Sequence, residues 1–270
     1  MDTWRLLLTP PSHGAWNMAL DEAILEAVGR RESLPTLRLY AWAPPCLSLG
    51  YAQPITDVDI PRLRALGWEL VRRPTGGRAV LHTDEITYAV MAPPHEPRVA
   101  GSVLESYHRL AQALVGALNL LSMPNEVNEN SPSPGSLGSN PVCFEVPSTY
   151  EITSGGKKLI GSAQARRKEG VLQHGSLPLT GDLTRILQVL AFPDEESRAR
   201  AAERLRMRAT TVEAALSLQI SWDEAARAIM RAFGTVLDLN LLPGSLTSNE
   251  SARTEELVLV KYGHPSWTEK

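Results

Sequence analysis

Residues 16–30 place Trp16, Met18, Ala19, Ile24 and Val28 at roughly helical intervals, and Gly29 can stop the run, so the pattern predicts a first amphipathic helix. Stretches 36–42 and 46–51 alternate or run apolar around Pro44 and Pro45, as strands do. Asp59 with Pro61 behind it opens a short helix that Gly67 closes; strands are predicted at 68–73 and 83–91. The longest helical pattern, 102–121, repeats apolar residues at three and four and should lie across a sheet. Residues 125–140 are polar and rich in Pro and Gly, which predicts a mobile loop leading into Cys143. Strands follow at 148–152, 158–165 and 171–177, the first two joined by a turn at Ser154, Gly155 and Gly156. After Gly181 helical patterns take over, at 182–190, 195–207 and 222–233. Strands with helices grouped around them predict an α+β fold of mixed or antiparallel sheets flanked by helices.

Composition narrows the classes of function. At 270 residues and 43% hydrophobic, the chain can build a core, which excludes intrinsic disorder. Its 27 Lys and Arg against 30 Asp and Glu give a net charge of -3, without the basic excess of a nucleic-acid binder. There is no run of about 18 apolar residues, and the first residues include Asp2 and Arg5 without a signal-peptide pattern. A cytoplasmic protein with neither nucleic-acid nor membrane partners is expected. With only Cys46 and Cys143, no disulfide framework or four-cysteine zinc site is available, and no metal site is expected.

Three segments hold candidate chemistry. In 72–82, Gly76 and Gly77 can turn backbone amides toward a ligand, with Arg72, Arg73 and Arg78 around them and His82 behind. The bland alternative is a connecting turn with solvated arginines and a structural histidine. In 143–151, Cys143 lies between a polar loop and Pro147, where an accessible thiol would be placed, whereas Cys46 among strand leucines reads as inert filler. In 155–164, Lys157 and Lys158 open a strand of small residues. Desolvation or a cationic neighbour there would tune a lysine as a base, although an ordinary hairpin with exposed lysines is the simpler reading. His174 and Gly175 follow on the next strand, where the glycine would allow close approach of a bound chain.

Together, RRPTGGRAVLH, CFEVPSTYEI, KKLIGSAQ and LQHGSL, in that order, resemble the biotin/lipoate protein ligase catalytic domain family, specifically its octanoyltransferase branch of the LipM type. NMALDEA at 17–23 and SLGYAQ at 48–53 agree with this. The resemblance implies transfer of octanoyl from acyl carrier protein to a lysine of a lipoyl domain, such as the glycine cleavage H protein, in lipoate biosynthesis. It implies no cofactor. Cys143 matches the nucleophile and Lys158, rather than Lys157, the shared lysine; Gly76, Gly77 and His82 match the loop and histidine at the acyl site. Arg73, Arg78, His174 and Gly175 are further substrate-binding candidates, and the amides of Gly161, Ser162 and Ala163 are candidate oxyanion donors. A single catalytic domain over 1–240, with 241–270 as a tail packed on it, is expected.

Pairing around the Ser154–Gly156 turn would put Lys158 opposite about Ile152, while nine extended residues would carry Cys143 roughly 30 Å away. Cys143 must therefore sit on a loop that bends back, and the 125–140 loop is expected to order when a partner arrives. Rival readings are an ATP-dependent lipoate ligase, a biotin ligase, a cysteine hydrolase and a non-catalytic binder of acylated carriers. Arg78 stands where lipoate ligases usually carry a third glycine, and the roughly 30 residues after the last predicted catalytic-domain helix are few for their accessory domain. The Gly-Arg-Gly-Arg loop of biotin ligases is absent, and no Asp beside a His marks a hydrolase. The binder would use Arg72, Arg73, Lys157, Arg166, Arg167 and Lys168 as a basic patch.

Overall fold

The structure is a computed structural model that describes residues 1–128 and 151–270. In chain order its strands are β1 (Asp2–Leu8), β2 (Thr36–Tyr40), β3 (Cys46–Leu49), β4 (Glu69–Arg72), β5 (Val80–His82), β6 (Glu85–Ala92), β7 (Glu126–Asn128), β8 (Glu151–Ser154), β9 (Lys157–Arg166), β10 (Val171–Pro178) and β11 (Leu239–Pro243). The helices are α1 (Gly14–Gly29), α2 (Ile60–Ala65), α3 (Val103–Leu120), α4 (Glu195–Arg208), α5 (Val212–Leu216), α6 (Trp222–Val236), α7 (Ser248–Leu257) and α8 (Pro265–Thr268). Among the described residues, eight strands form one sheet in the order β11-β1-β2-β6-β10-β9-β8-β7, and three form another, β4-β3-β5. Both mix parallel and antiparallel neighbours, so the fold is α+β as expected.

Local chemistry fixes the element ends. Ser102 and Glu105 cap α3 reciprocally, Ser221 and Glu224 do the same for α6, and the Asp59 side chain caps α2 ahead of Pro61. Gly155 and Gly156, at φ of 54° and 73°, make the two-residue turn between β8 and β9. One face of the large sheet buries Tyr88, Val90 and Ile160 against Leu110 and Leu114 of α3 and Phe233 of α6. The other buries Ala89, Met91 and Leu172 against α1, whose remaining faces meet Val71 of the small sheet and Leu257 of α7.

Several expectations need correction. Glu126–Asn128, inside the predicted loop, form β7 and pair with β8; the rest of that loop, together with Cys143, lies outside the described residues. A register shift between Ile152 and Thr153 places Lys158 opposite Thr153, and Ile152 opposite Ile160. The strand expected at 148–152 is described from Glu151 and continues to Ser154, and the predicted 182–190 helix is a 3-10 turn over Leu183–Gln188. The C-terminal segment completes β11, which pairs with β1, and then supplies α7, a π turn at Val258–Tyr262 and α8. Among the described residues, no helix is long and apolar enough to cross a membrane.

Candidate active site

A narrow cavity runs between the α1 face of the large sheet and the small sheet. Its lining includes Met18, Tyr40, Trp42, Ser48, Arg73, Gly77, His82, Thr87, Gly161, Ser162, Ala163, His174, Gly175 and Ser176. It holds about 450 Å³ of space between atoms, part of it open to solvent, and little of that is wide enough for a water molecule. That shape suits a thin unbranched chain better than a bulky ring. The register explains its origin: Ser176 lies opposite Gly161 and Thr87, and His174 opposite Ala163 and Ala89. Alternate residues share a face, so the slot exists where β9 offers a glycine and an alanine instead of larger side chains.

Two polar networks frame this slot. Toward α1, the Arg38 Nη1 donates to Asp21 Oδ1 at 2.6 Å, Nη2 donates to Asn17 Oδ1, and Tyr40 donates to Asp21 Oδ2. Burial works to raise the Asp21 pKa, but Arg38 and His174 override it and hold the carboxyl below 3.8. Toward β5, His82 Nδ1 meets Glu85 Oε1 at 2.5 Å and Nε2 meets Ser48 Oγ at 2.7 Å, while Trp42 stacks on the imidazole with centroids 3.9 Å apart. Thr87 and Ser176 also donate to Glu85, and the Trp42 indole donates to Thr87.

His174 is held by Thr75, 2.7 Å from Nε2, and faces Asp21 across 3.5 Å. Burial pushes its pKa below 6.5, assisted by Arg73 and His82 and opposed by Asp21. The unfolded chain therefore takes up a proton that the folded chain resists, and stability falls as pH drops below about 6.5 toward the folded value. Above about 6.5 His174 adds no slope. Urea unfolding across this range should show that slope in the parent chain, and His174→Gln should flatten it; an unchanged slope would contradict the assignment.

Arg73 holds the glycine loop from beneath, donating to the carbonyls of Gly76 and Arg78 at 2.9 and 2.7 Å and to Ser48. Gly77 has φ of 96° and lies on Gly50, where an added Cβ would meet the Gly77 oxygen at 1.9 Å. Gly50→Ala should therefore displace the loop and cost about 1–3 kcal/mol in thermal unfolding, with a larger relative loss of transfer activity. Parental stability and activity in that variant would contradict this placement. The missing Cβ of Gly76 faces open space. At Gly175 a Cβ would strike Ser162 and the Tyr88 ring within 2.7 Å, so sheet packing, rather than a bound chain, demands that glycine.

Lys158 lies three residues before Gly161 on β9, buried, with its Nζ 2.9 Å from Glu151 Oε1. Of the two alternatives read from sequence, desolvation or a cationic neighbour, burial meets the first, and a carboxylate stands beside the ammonium. Strand β8 pairs with β9 only as far as Ile160, so among the described residues no strand covers the edge from Gly161 to Arg166. Successive amides of a strand point to alternate sides, so within Gly161–Ala163 at least one N–H is directed at that edge.

Of the candidate binding residues, Arg73, Gly77, His82, Gly161, Ser162, Ala163, His174 and Gly175 line the slot. Gly76 and Arg78 instead supply carbonyls to Arg73, and Lys158 stands just along the strand. Cys46 is fully buried, its thiol pushed up by burial, in keeping with inert filler. The basic patch does not assemble. Arg72 is spent on the carbonyls of Gly50, Gln53, Trp267 and Thr268, Arg167 pairs with Glu22, and Arg166 donates to the carbonyls of Val99 and Ser102. Asp21, Arg38, Trp42, Ser48, Glu85 and Ser176 were not singled out from sequence; an arginine flanked by leucines in a central strand was the available signal for the first pair.

Residues 13–234 match the lipoyl protein ligase A/B catalytic domain. The chain is 41% identical over 270 residues to octanoyltransferase LipM of Moorella thermoacetica, covering 100% of this chain and 98% of that one. It is 40% identical over 268 residues to octanoyltransferase LipM of Symbiobacterium thermophilum, covering 98% and 97%. A bi-partite lipoate protein ligase from Thermoplasma acidophilum, solved in a study that includes its E2 lipoyl domain, superposes with a TM-score of 0.81. Identity there is 26%, over 100% of this chain and 97% of that one. By sequence over nearly its whole length, and by a fold that builds a narrow slot from the matching motifs, the chain belongs to the lipoyl protein ligase A/B catalytic domain family.

Proposed function

We propose that this octanoyltransferase of lipoate biosynthesis accepts octanoyl from acyl carrier protein on Cys143 and delivers it to a lysine of a lipoyl domain, with the glycine cleavage H protein as the expected acceptor. The observation that carries this reading is the slot itself, narrow and largely apolar, lined by Gly161, Ser162 and Ala163 of the strand that carries Lys158 three residues earlier. Each methylene buried there contributes about 0.8 kcal/mol.

In the first step the Cys143 thiolate attacks the donor thioester carbonyl; a new C–S bond forms, the old one breaks, and the donor sulfur leaves as a thiol after protonation. The second step forms the amide as the acceptor amine attacks, its surplus proton passing to the enzyme and the Cys143 sulfur departing. Thioester exchange is nearly isoenergetic and amide formation is downhill, so ATP is not needed. The roles read here for the chain's own groups are three: Lys158 offsets the thiolate charge and relays protons, an edge amide of Gly161–Ala163 receives the oxyanion, and the slot excludes water. Cys143 is eight residues from Glu151, a reach of at most about 28 Å, so the covalent tether permits the thiol to meet Lys158. We read residues 1–240 as the catalytic unit, with 241–270 fastened to it through Arg253 with Glu26 and Lys261 with Glu22.

The test is transfer from octanoyl-acyl carrier protein to an unmodified lipoyl domain without ATP. A gain of about 126 Da on the acceptor, one octanoyl replacing one hydrogen, is expected. Modification only with ATP and free acid would instead establish a ligase.

A further inference from the structure

Helix α4 ends beside the strand that carries Lys158. Ala209 bridges Lys158 in parallel, and the Thr210 N–H donates to the Lys158 carbonyl at 3.0 Å. One strand spacing plus one residue step puts the Arg208 Cα within about 9 Å of the Lys158 Cα. The last turn of α4 turns Arg206, Met207 and Arg208 to solvent, with Met207 67% exposed. In a chain of net charge -3, basic and apolar surface therefore coincides at one site beside the proposed reacting lysine.

We propose that this turn receives the donor, an acidic carrier protein that presents its octanoyl thioester on a phosphodiester-linked arm. The proposal rests on the transfer reading above. Guanidinium groups suit a phosphodiester and surrounding carboxylates, and an exposed methionine gives an adaptable apolar contact between them. The acceptor's reactive arm is a plain lysine side chain with no anion, so the arginines match the donor. Attraction of this kind governs encounter, leaving the chemical step untouched.

Transfer kinetics of the full chain carrying Arg206→Glu and Arg208→Glu should be compared using two donors, octanoyl-acyl carrier protein and the protein-free, phosphate-free octanoyl-pantetheine. With the carrier donor, kcat/KM should fall about tenfold to a hundredfold through KM, and its salt dependence should flatten. With octanoyl-pantetheine it should change less than about twofold, and Arg206→Lys with Arg208→Lys should retain most carrier activity. Equal losses on both donors, no loss on either, or a rise confined to the acceptor's KM would each overturn the proposal. Failure of the parent chain to transfer from either donor would instead bring down the transfer reading, and this proposal with it.

Discussion

Replacing Lys158 by methionine is expected to lower octanoyl transfer by about 10³-fold, carried by kcat with little change in the donor KM. Methionine keeps the stem of the side chain and removes the ammonium, so the loss reports on charge and proton transfer. The same substitution takes from Glu151 its partner at 2.9 Å. That should cost about 1–3 kcal/mol in urea unfolding, because a half-buried carboxylate loses a charge-assisted bond. Adding Glu151→Gln should return most of the stability and none of the activity. Recovery of transfer in the double variant would show that Lys158 serves only to balance Glu151.

Arg38→Met should be the most destabilising change near the slot, costing about 3–5 kcal/mol. Both side chains of the Arg38–Asp21 pair are inaccessible to solvent. Arg38 also donates to Asn17 and Thr9 and lies 3.9 Å over the Tyr40 ring, so it ties α1 to β2 at several points. Its loss strands a buried carboxylate. Adding Asp21→Leu should recover part of the loss, since an apolar pair of similar volume avoids desolvating either charge. Thermal unfolding of the single and double variants checks both statements; a single variant as stable as the parent would contradict the clamp.

The fold was legible where periodicity is local. Apolar spacing marked α1, α3 and α6, and the glycine pair at 155–156 marked the turn into β9. It failed where an element is defined by a distant neighbour. Strands β1 and β11 lie at opposite ends of the chain and pair with each other, and β7 and β5 are too short to show a period. Helix α1 lies where the amphipathic pattern predicts it, yet that pattern does not tell what its polar residues meet. Asp21 meets Arg38, and Glu22 meets Lys261 and Tyr262, about 240 residues on, so that side is buried too.

The site divides in the same way. Motifs with unusual local composition, such as Gly76 with Gly77 and the small residues 161–163, lie at or beside the slot. Trp42, Ser48, Glu85 and Ser176 gather around His82 only after four strands have been placed, and nothing near each residue announces its role. Gly50 must be glycine because Gly77 rests on it, a requirement invisible within SLGYAQ.

The decisive measurement is the intact mass of the chain after mixing with octanoyl-acyl carrier protein alone, with neither acceptor nor ATP. A stoichiometric gain of about 126 Da that hydroxylamine removes, that an added lipoyl domain discharges, and that Cys143→Ala abolishes is the expected result. An unmodified enzyme that still transfers octanoyl, or an adduct that persists in Cys143→Ala, would contradict the account.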